Sequence, residues 1–283
     1  MLTPYLYLPA YGIGLIAWKR RHYRLAVLAV FVILGQIWQI SPQLWNPDAL
    51  QAAETSGVAL RLFSMNLTVD NPEAAALVDE IHDQQPDMLF FQEYTTVWHA
   101  ELDRQGLFET YRYGRVNIQG QQYGTAIWSK RPIMTEVREV EDVTLLFASM
   151  DVDGRSVQFL TLHLPGVWDD FARWNTRMAV ITDMLLQTSG PFVSIGDYNQ
   201  TAYNRWYQMM TNGRLRDAHQ TCNAAWDATW PNDILFPTSI LLDHALLSPE
   251  IGCMHIQEGQ GKGSEHKSVI VDIMLLPEAM GSQ

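Results

Sequence analysis

The chain has 283 residues, enough to bury one large α/β core, and its 47% hydrophobic and 18% charged residues are those of a globular protein rather than a disordered one. The formal net charge of −12 is unevenly placed. Lys19, Arg20, Arg21 and Arg24 precede residue 51 against one acid, Asp48, so the remainder carries 15 basic and 30 acidic residues, the wrong sign for gripping long stretches of nucleic acid.

Leu2 to Trp18 is mostly apolar or aromatic and uncharged. The basic run Lys19-Arg20-Arg21-His22-Tyr23-Arg24 follows, and Leu25 to Ile40 is apolar again, broken only by Gly35, Gln36 and Gln39. Each apolar run sits near the short end of the ~17–25 residues that cross a bilayer. Trp18, Tyr23, Trp38 and Trp45 stand at the ends, where interfacial aromatic side chains belong. The pattern predicts a transmembrane helical hairpin over 1–41. Its basic turn would face the cytoplasm, which puts the rest of the chain on the periplasmic or extracytoplasmic side of a cell inner membrane. A signal peptide fits less well, because an apolar run precedes the basic cluster and 49–53 offers no clean small-x-small cleavage site. Two core helices of a soluble protein are the other alternative. The start almost directly in an apolar segment leaves room for an earlier helix. Pro42, Asn46, Pro47 and Asp48 make 42–57 a linker, followed by a folded domain over 58–277 and a tail over 278–283.

Val58 to Asn66 is apolar on both parities and reads as a central strand. Asn71 caps a helix with Pro72 at its first position; Ala74, Leu77, Val78 and Ile81 form its buried stripe, and Pro86 stops it. Asp87 to Gln92 is the next strand, ending at Glu93. Gly124 to Ser129 is another, closed by a turn at Lys130-Arg131-Pro132. Val143 to Asp151 and Arg155 to Leu164 form a hairpin through Asp153-Gly154. Asp169 to Gln187 is a helix with a core stripe of Phe171, Trp174, Met178, Ile181 and Leu185. A short strand then enters the turn at Gly196-Asp197, and Thr201 to Asn212 is a helix with Trp206, Met209 and Met210 on one side. Residues 213–239 are irregular, with Trp226, Trp230, Pro231 and Pro237 able to wall a pocket. Strands over 239–248, 251–256 and 269–276 close the chain. The Gly-rich loop at 259–268 lacks the spacing and the following helix of a P-loop. Cys222 and Cys253 match no zinc pattern, and two buried free thiols are expected rather than a disulfide.

Polar residues gather at strand ends. Asp197 and Asn199 are two apart, so in an extended segment they face the same way, a carboxylate beside an amide. Asp243 sits inside an apolar run and needs a partner, which His266 can supply. His163, Asn66 and Glu93 each end a strand. Singly, each has an ordinary explanation as an Asx-turn, a loop residue or a satisfied histidine.

Taken in order, Asn66, Gln92-Glu93, His163, Gly196-Asp197-Tyr198-Asn199, Asp243 in the run from Leu241 to Ser248, and Ser264-Glu265-His266 resemble the endonuclease/exonuclease/phosphatase superfamily over about 58–276. The anchor is similar to that of membrane proteins in this family associated with glycopeptide-antibiotic resistance and lipid-pyrophosphate hydrolysis. The resemblance implies an α/β fold, a two-layer β-sandwich flanked by helices, here preceded by the transmembrane hairpin. It implies that Glu93 binds Mg²⁺ or Mn²⁺, helped by Asn66 and Glu265, and that Asp197 orients or deprotonates the attacking water. Asn199 and His163, with Asn66, would hold the phosphate, and Asp243 would fix the tautomer of His266, which stabilises the transition state. One position departs: the family usually has Asp where this chain has Glu265, and the extra methylene moves the carboxylate by ~1.5 Å.

Physical chemistry asks for the same parts. A phosphate ester resists attack because its charge repels nucleophiles; a divalent ion neutralises that charge, and fixed donors stabilise what develops on the oxygens. The expected function is a membrane-anchored, metal-dependent phosphoesterase acting on a lipid phosphate or pyrophosphate, with the bilayer and a phosphate-bearing substrate as partners. The alternatives are an extracytoplasmic metal-dependent nuclease, which a basic groove near Arg112, Arg115, Lys130 and Arg131 would favour, and a non-catalytic binding module with a degraded site at Glu265.

Overall fold

Successive residues of a strand point to opposite sides, and in the central strands both sides are apolar, so each sheet has to be covered on two faces. The computed structural model describes residues 7–44, 58–118, 124–140, 143–166, 170–222, 228–232 and 239–277. It meets that requirement with two six-stranded sheets. One runs in the order β11 (Ile251–Glu258), β12 (Val269–Leu275), β1 (Ala59–Asn66), β2 (Met88–Gln92), β4 (Thr125–Ser129), β3 (Tyr113–Asn117). The other runs β5 (Met134–Val140), β6 (Val143–Val152), β7 (Arg155–His163), β8 (Phe192–Asp197), β10 (Asp243–Leu247), β9 (Arg216–Asp217).

Leu62, Phe90 and Ile127 of the first sheet meet Phe159, Ile195 and Ala245 of the second in a shared core. The neighbouring residues Phe63 and Phe91 turn outward, under Leu77 and Ile81 of α3 (Ala74–Gln84) and Trp98 of α4 (Thr96–Arg104). Leu160, Leu162 and Phe192 lie under Trp174, Met178 and Ile181 of α6 (Phe171–Leu186), which follows the short α5 (Leu107–Thr110). This is the expected two-layer sandwich flanked by helices. Two parallel pairs position the site. Asn66 lies opposite Gln92 in β1–β2, and His163 lies opposite Asp197 in β7–β8; antiparallel β10 places Asp243 opposite Asp197 as well.

Several local expectations are corrected. Helix α3 starts at Ala74, because Asn71 does not cap it: its Oδ1 accepts the Glu73 N–H at 2.8 Å in an Asx-turn. Phe171 opens α6 but is 67% exposed, since the helix begins only where Asp170 accepts the Arg173 N–H. In α7 (Arg205–Thr211) Tyr207 and Met210 are buried while Met209 is exposed. Strands β3 and β5 edge their sheets with mostly exposed side chains, so they lack the apolar run that marks a central strand. Trp226, Pro237, residues 45–57 and the tail over 278–283 lie outside the described residues.

The N-terminal runs form α1 (Leu8–Lys19) and α2 (Tyr23–Leu44), which pack on each other across a turn at 20–22. Among the described residues, the side chains of α2 being described through Ile37, no helix is long and apolar enough to cross a membrane. The cysteines also depart from expectation. Cys222, at the end of α8 (Ala218–Thr221), and Cys253 of β11 are joined in a disulfide, with Cα atoms 5.9 Å apart. The fold brings together two residues that a separation of 31 positions in sequence had left unrelated.

Closing that loop should stabilise the fold by about 3–4 kcal/mol. Reductant, or Cys222→Ser, is expected to lower the Tm of the wild-type chain by about 10 °C in a thermal melt. An unchanged melt would show that the bridge adds nothing.

Candidate active site

Asp197 is the hub. Its side chain is almost wholly buried, and a carboxylate in that position needs donors on every side. Asn66 Nδ2 reaches Asp197 Oδ2 at 3.2 Å and Glu93 Oε1 at 3.2 Å, so one amide ties the ends of both sheets together. Asn199 gives its backbone N–H to Asp197 Oδ1 at 2.7 Å and its side-chain amide to Oδ2 at 3.2 Å. His163 Nε2 and His266 Nε2 both stand 3.7 Å from Asp197 Oδ2. His266 Nδ1 is 2.8 Å from Asp243 Oδ2, the pairing a carboxylate in an apolar run required. The other oxygen of Asp243 is buried without a hydrogen-bond partner among the described residues.

The backbone around these groups is held in uncommon conformations. Thr68, Glu93 and Asn199 all have positive φ, at 59°, 55° and 48°. For a β-branched residue such as Thr68 this is strained, and persists only where neighbours over-determine it. Here they do: its N–H donates to Asn66 Oδ1, its hydroxyl pairs with Ser264 Oγ, and its carbonyl accepts from Trp98 Nε1. Gly196 has φ 146°, and a Cβ there would lie 2.1 Å from the Leu162 carbonyl oxygen, so only glycine lets β7 and β8 pair one residue ahead of Asp197.

The loop at 259–268 is anchored by a residue the sequence did not single out. Glu80 on α3 is buried and accepts from the Gln260 and Gly261 N–H groups and from the Ser268 hydroxyl. Gly259 permits this, because a Cβ there would sit 2.0 Å from Glu80 Oε1. Ser264 then bonds the Asn66 carbonyl at 2.7 Å and receives the His266 N–H at 3.0 Å. Glu265 is placed differently from the other candidates. Its N–H donates to Thr68 Oγ1 and its carbonyl accepts from Asn232 at the mouth of the site, but its side chain is exposed, whereas Glu93 is half-buried. The structure therefore gathers Asn66, Glu93, His163, Asp197, Asn199, Asp243 and His266, and leaves the Glu265 carboxylate at the solvent edge. Gln92 points between the sheets, donating to Thr161 and Ser64, and has a packing role.

Burial pushes the Asp197 carboxyl above its usual range, with Asp243 adding to the effect and His266 and His163 opposing it. Burial disfavours a charged His266, but Asp243 and Asp197 outweigh it and lift the imidazole to about 9. An imidazolium held against two carboxylates is a fixed positive group at the end of the cleft. Mg²⁺ and Mn²⁺ prefer hard oxygen donors. Glu93 offers a carboxylate whose orientation is set by Asn66 and by the Val69 N–H, at 3.1 Å, and Asn66 can offer an amide oxygen, so the donor chemistry fits such an ion.

A second buried cluster lies behind the first. His244, the neighbour of Asp243, donates through Nε2 to the Gln200 carbonyl at 2.9 Å, one residue past Asn199. Its Nδ1 stands 3.2 Å from Asp217 Oδ2, and Tyr207 donates to the same oxygen. His219 sits between Asp217 and Glu258. Burial opposes its charge, but the hydrogen bonds to those two acids raise its pKa to about 10; Asp217 is held below the usual carboxylate range by His244 and His219 against the cost of burial. The sequence signal was faint: Asp217 and His219 two apart, and a histidine beside Asp243.

Comparison with known proteins agrees with this geometry. A sequence profile of the Endonuclease/Exonuclease/phosphatase family matches residues 60–266. Among solved structures, a humanized TDP2 from D. rerio superposes with TM-score 0.63 at 15% identity, covering 76% of this chain and 98% of that one. An endonuclease/exonuclease/phosphatase from Beutenbergia cavernae gives TM-score 0.60 at 16% identity, covering 79% and 73%. The 3′ phosphatase NExo from Neisseria, bound to product DNA hairpin, gives 0.59 at 15%, covering 75% and 98%. At these identities the likeness is one of fold. No curated protein matches the chain.

A histidine whose folded pKa is raised from 6.5 to about 10 contributes stability that is whole below pH 6.5 and lost as the pH rises toward 10. Wild-type Tm is expected to fall by several degrees over that interval, and His219→Gln, starting lower, should show a flatter slope. Parallel slopes would mean that His219 is not charged in the fold.

Proposed function

The chain belongs to the endonuclease/exonuclease/phosphatase family, and from that premise we propose that it is a membrane-anchored, divalent-metal-dependent phosphoesterase that hydrolyses a lipid-linked phosphate ester or pyrophosphate. The observation that carries the hydrolytic reading is Asp197, bound by Asn66 toward Glu93 on one side and faced by the Asp243-paired His266 on the other. Glu93 and Asn66 would hold Mg²⁺ or Mn²⁺, with the exposed Glu265 within the same loop cluster as a further oxygen donor. Once bound, the ion neutralises phosphate charge and polarises the P–O bond.

Asp197, fixed by two amides, accepts a hydrogen bond from water and takes its proton as the water oxygen bonds to phosphorus. His266, oriented by Asp243, donates to the charge that develops on the phosphate as the bond to the leaving group breaks. His163 and Asn199 stand on the same oxygen of Asp197 and would hold the remaining phosphate oxygens in line.

Three features support the anchor and its side of the membrane. Leu15, Ile16 and Phe31 on α1 and α2 are 58%, 58% and 67% exposed, surface that water penalises and a lipid tail does not. The turn between these helices carries the basic cluster, which stays cytoplasmic under the positive-inside rule. The Cys222–Cys253 disulfide is of the kind that persists in an oxidising compartment, which supports the extracytoplasmic reading. A nuclease is the second reading, favoured by the DNA bound to NExo. Against it, Arg112, Lys130 and Arg131 flank Tyr113 and Ser129, which pair at the end of the first sheet opposite to Asn117, Thr125 and Gln92. Arg112, Lys130 and Arg131 thus sit a strand's length from the catalytic cluster, while Arg115, opposite Ile127, lies midway along β3.

The detergent-purified chain should release phosphate from a long-chain isoprenyl pyrophosphate in Mg²⁺, and chelator should stop it. Asp197→Asn and His266→Ala are each expected to slow release by about 10²–10⁴-fold. Nicking of supercoiled DNA without phosphate release would establish the nuclease. Silence on both substrates, with Asp197→Asn equal to wild type, would leave a binding module.

A further inference from the structure

Next to Glu93 the surface opens into a groove of about 550 Å³. Its apolar lining comes from Val69, Pro72, Ala74, Val97, Trp98 and Ile118. The groove and the candidate metal ligand share a wall, because the Val69 N–H holds Glu93 Oε2 at 3.1 Å. Topology places the rest of the lining at the same end. Helix α4 begins three residues after Glu93, and Ile118 follows Asn117, which pairs with Thr125 as Gln92 does. We propose that this groove is the subsite for the hydrocarbon chain of the substrate, a phosphate monoester or pyrophosphate of a long alkyl or isoprenoid alcohol; the proposal rests on the phosphoesterase reading above.

Two observations select that occupant. Val97 and Ile118 are 67% and 41% exposed, two large apolar side chains left in water on an acidic domain beside a polar site. A chain laid along them removes that surface from water, which a sugar or a free phosphate would not do. The charges in the lining point the same way. Asp70 and Glu101 stand there, and Arg104, the cation of the lining, is paired with Glu101. Along the groove such a wall disfavours a nucleic-acid strand, whose backbone would lay one phosphate per nucleotide against it. The groove is also built before the substrate arrives. Trp98 is buried with Nε1 bonded to the Thr68 carbonyl, and Thr95 caps α4 through the Trp98 N–H. A phosphate at Glu93 and a chain in the groove are therefore two ends of one ligand on a preformed surface.

The test uses the full chain in one detergent at fixed concentration, with a series of alkyl phosphates from short and soluble to long. For wild type, kcat/KM is expected to rise at least tenfold with chain length. Val97→Asn and Ile118→Asn, which add polarity without charge, should abolish most of that rise while leaving kcat/KM for the shortest ester within about twofold, with unchanged melting curves as the control on folding. The proposal is overturned if both variants keep the full chain-length gain, if they lose short and long substrates equally, or if they instead weaken binding of a single-stranded oligonucleotide. Absence of hydrolysis throughout would remove the phosphoesterase reading separately. In that case binding of a non-hydrolysable long-chain alkyl phosphonate decides the groove: at least tenfold weaker binding by Val97→Asn supports it, and equal affinity overturns it.

Discussion

A carboxylate taken out of water must be surrounded by donors, and around Asp197 that requirement organises both sheets. Its donors come from β1, through Asn66, and from the turn after β8, through Asn199, while histidines from the end of β7 and from the loop before β12 close the remaining side. None of these elements is adjacent in sequence, so the cluster forms only when the sandwich does. The reverse also holds: the Asn66 amide, shared between Asp197 and Glu93, joins the Gln92–Thr161 hydrogen bond as a polar link between sheets whose shared core is hydrocarbon. The cost of burying charge is offset by bonds that fix the positions of the groups expected to do the chemistry.

The loops add precision to what the strands place. Glu80 captures the backbone at 260 and 261, Ser264 ties the loop to Asn66, and Thr68 is locked in a left-handed conformation by contacts from three segments. Behind them, His244 holds the Gln200 carbonyl, so the turn carrying Asn199 is braced from within the core. A site on such supports is rigid before substrate arrives, and binding energy is not spent on ordering it.

Much of this was legible in the sequence because chemistry-bearing residues at the ends of apolar runs are conspicuous: Asn66, His163 and Asp197 each close a strand, Glu93 directly follows one, and Asp243 is an acid where an aliphatic residue belongs. Other parts were hidden for physical reasons. Glu80 in a helix reads as a solvated acid until the loop that covers it is folded over. The left-handed Thr68 contradicts its own propensity and is dictated by tertiary contacts. The disulfide joins residues from an irregular segment and a strand, with no framework of spacings to announce it. Phe171 matched the helical period of its neighbours yet faces water, because periodicity specifies a stripe but not where the covering layer ends.

The pairing of β1 with β12, Ala59 opposite Met274, has a consequence for how the molecule is made. The first strand of the domain waits for the last, so the first sheet cannot be completed before residues 269–275 have been made. Until then β1 presents an open edge, and contacts of such long sequence separation close slowly. A chain released short of residue 269 lacks β12 and loses the strand that joins β1 to β11, even with nearly every catalytic candidate present. Synthesis from the amino end therefore leaves the first sheet incomplete until β12 has emerged.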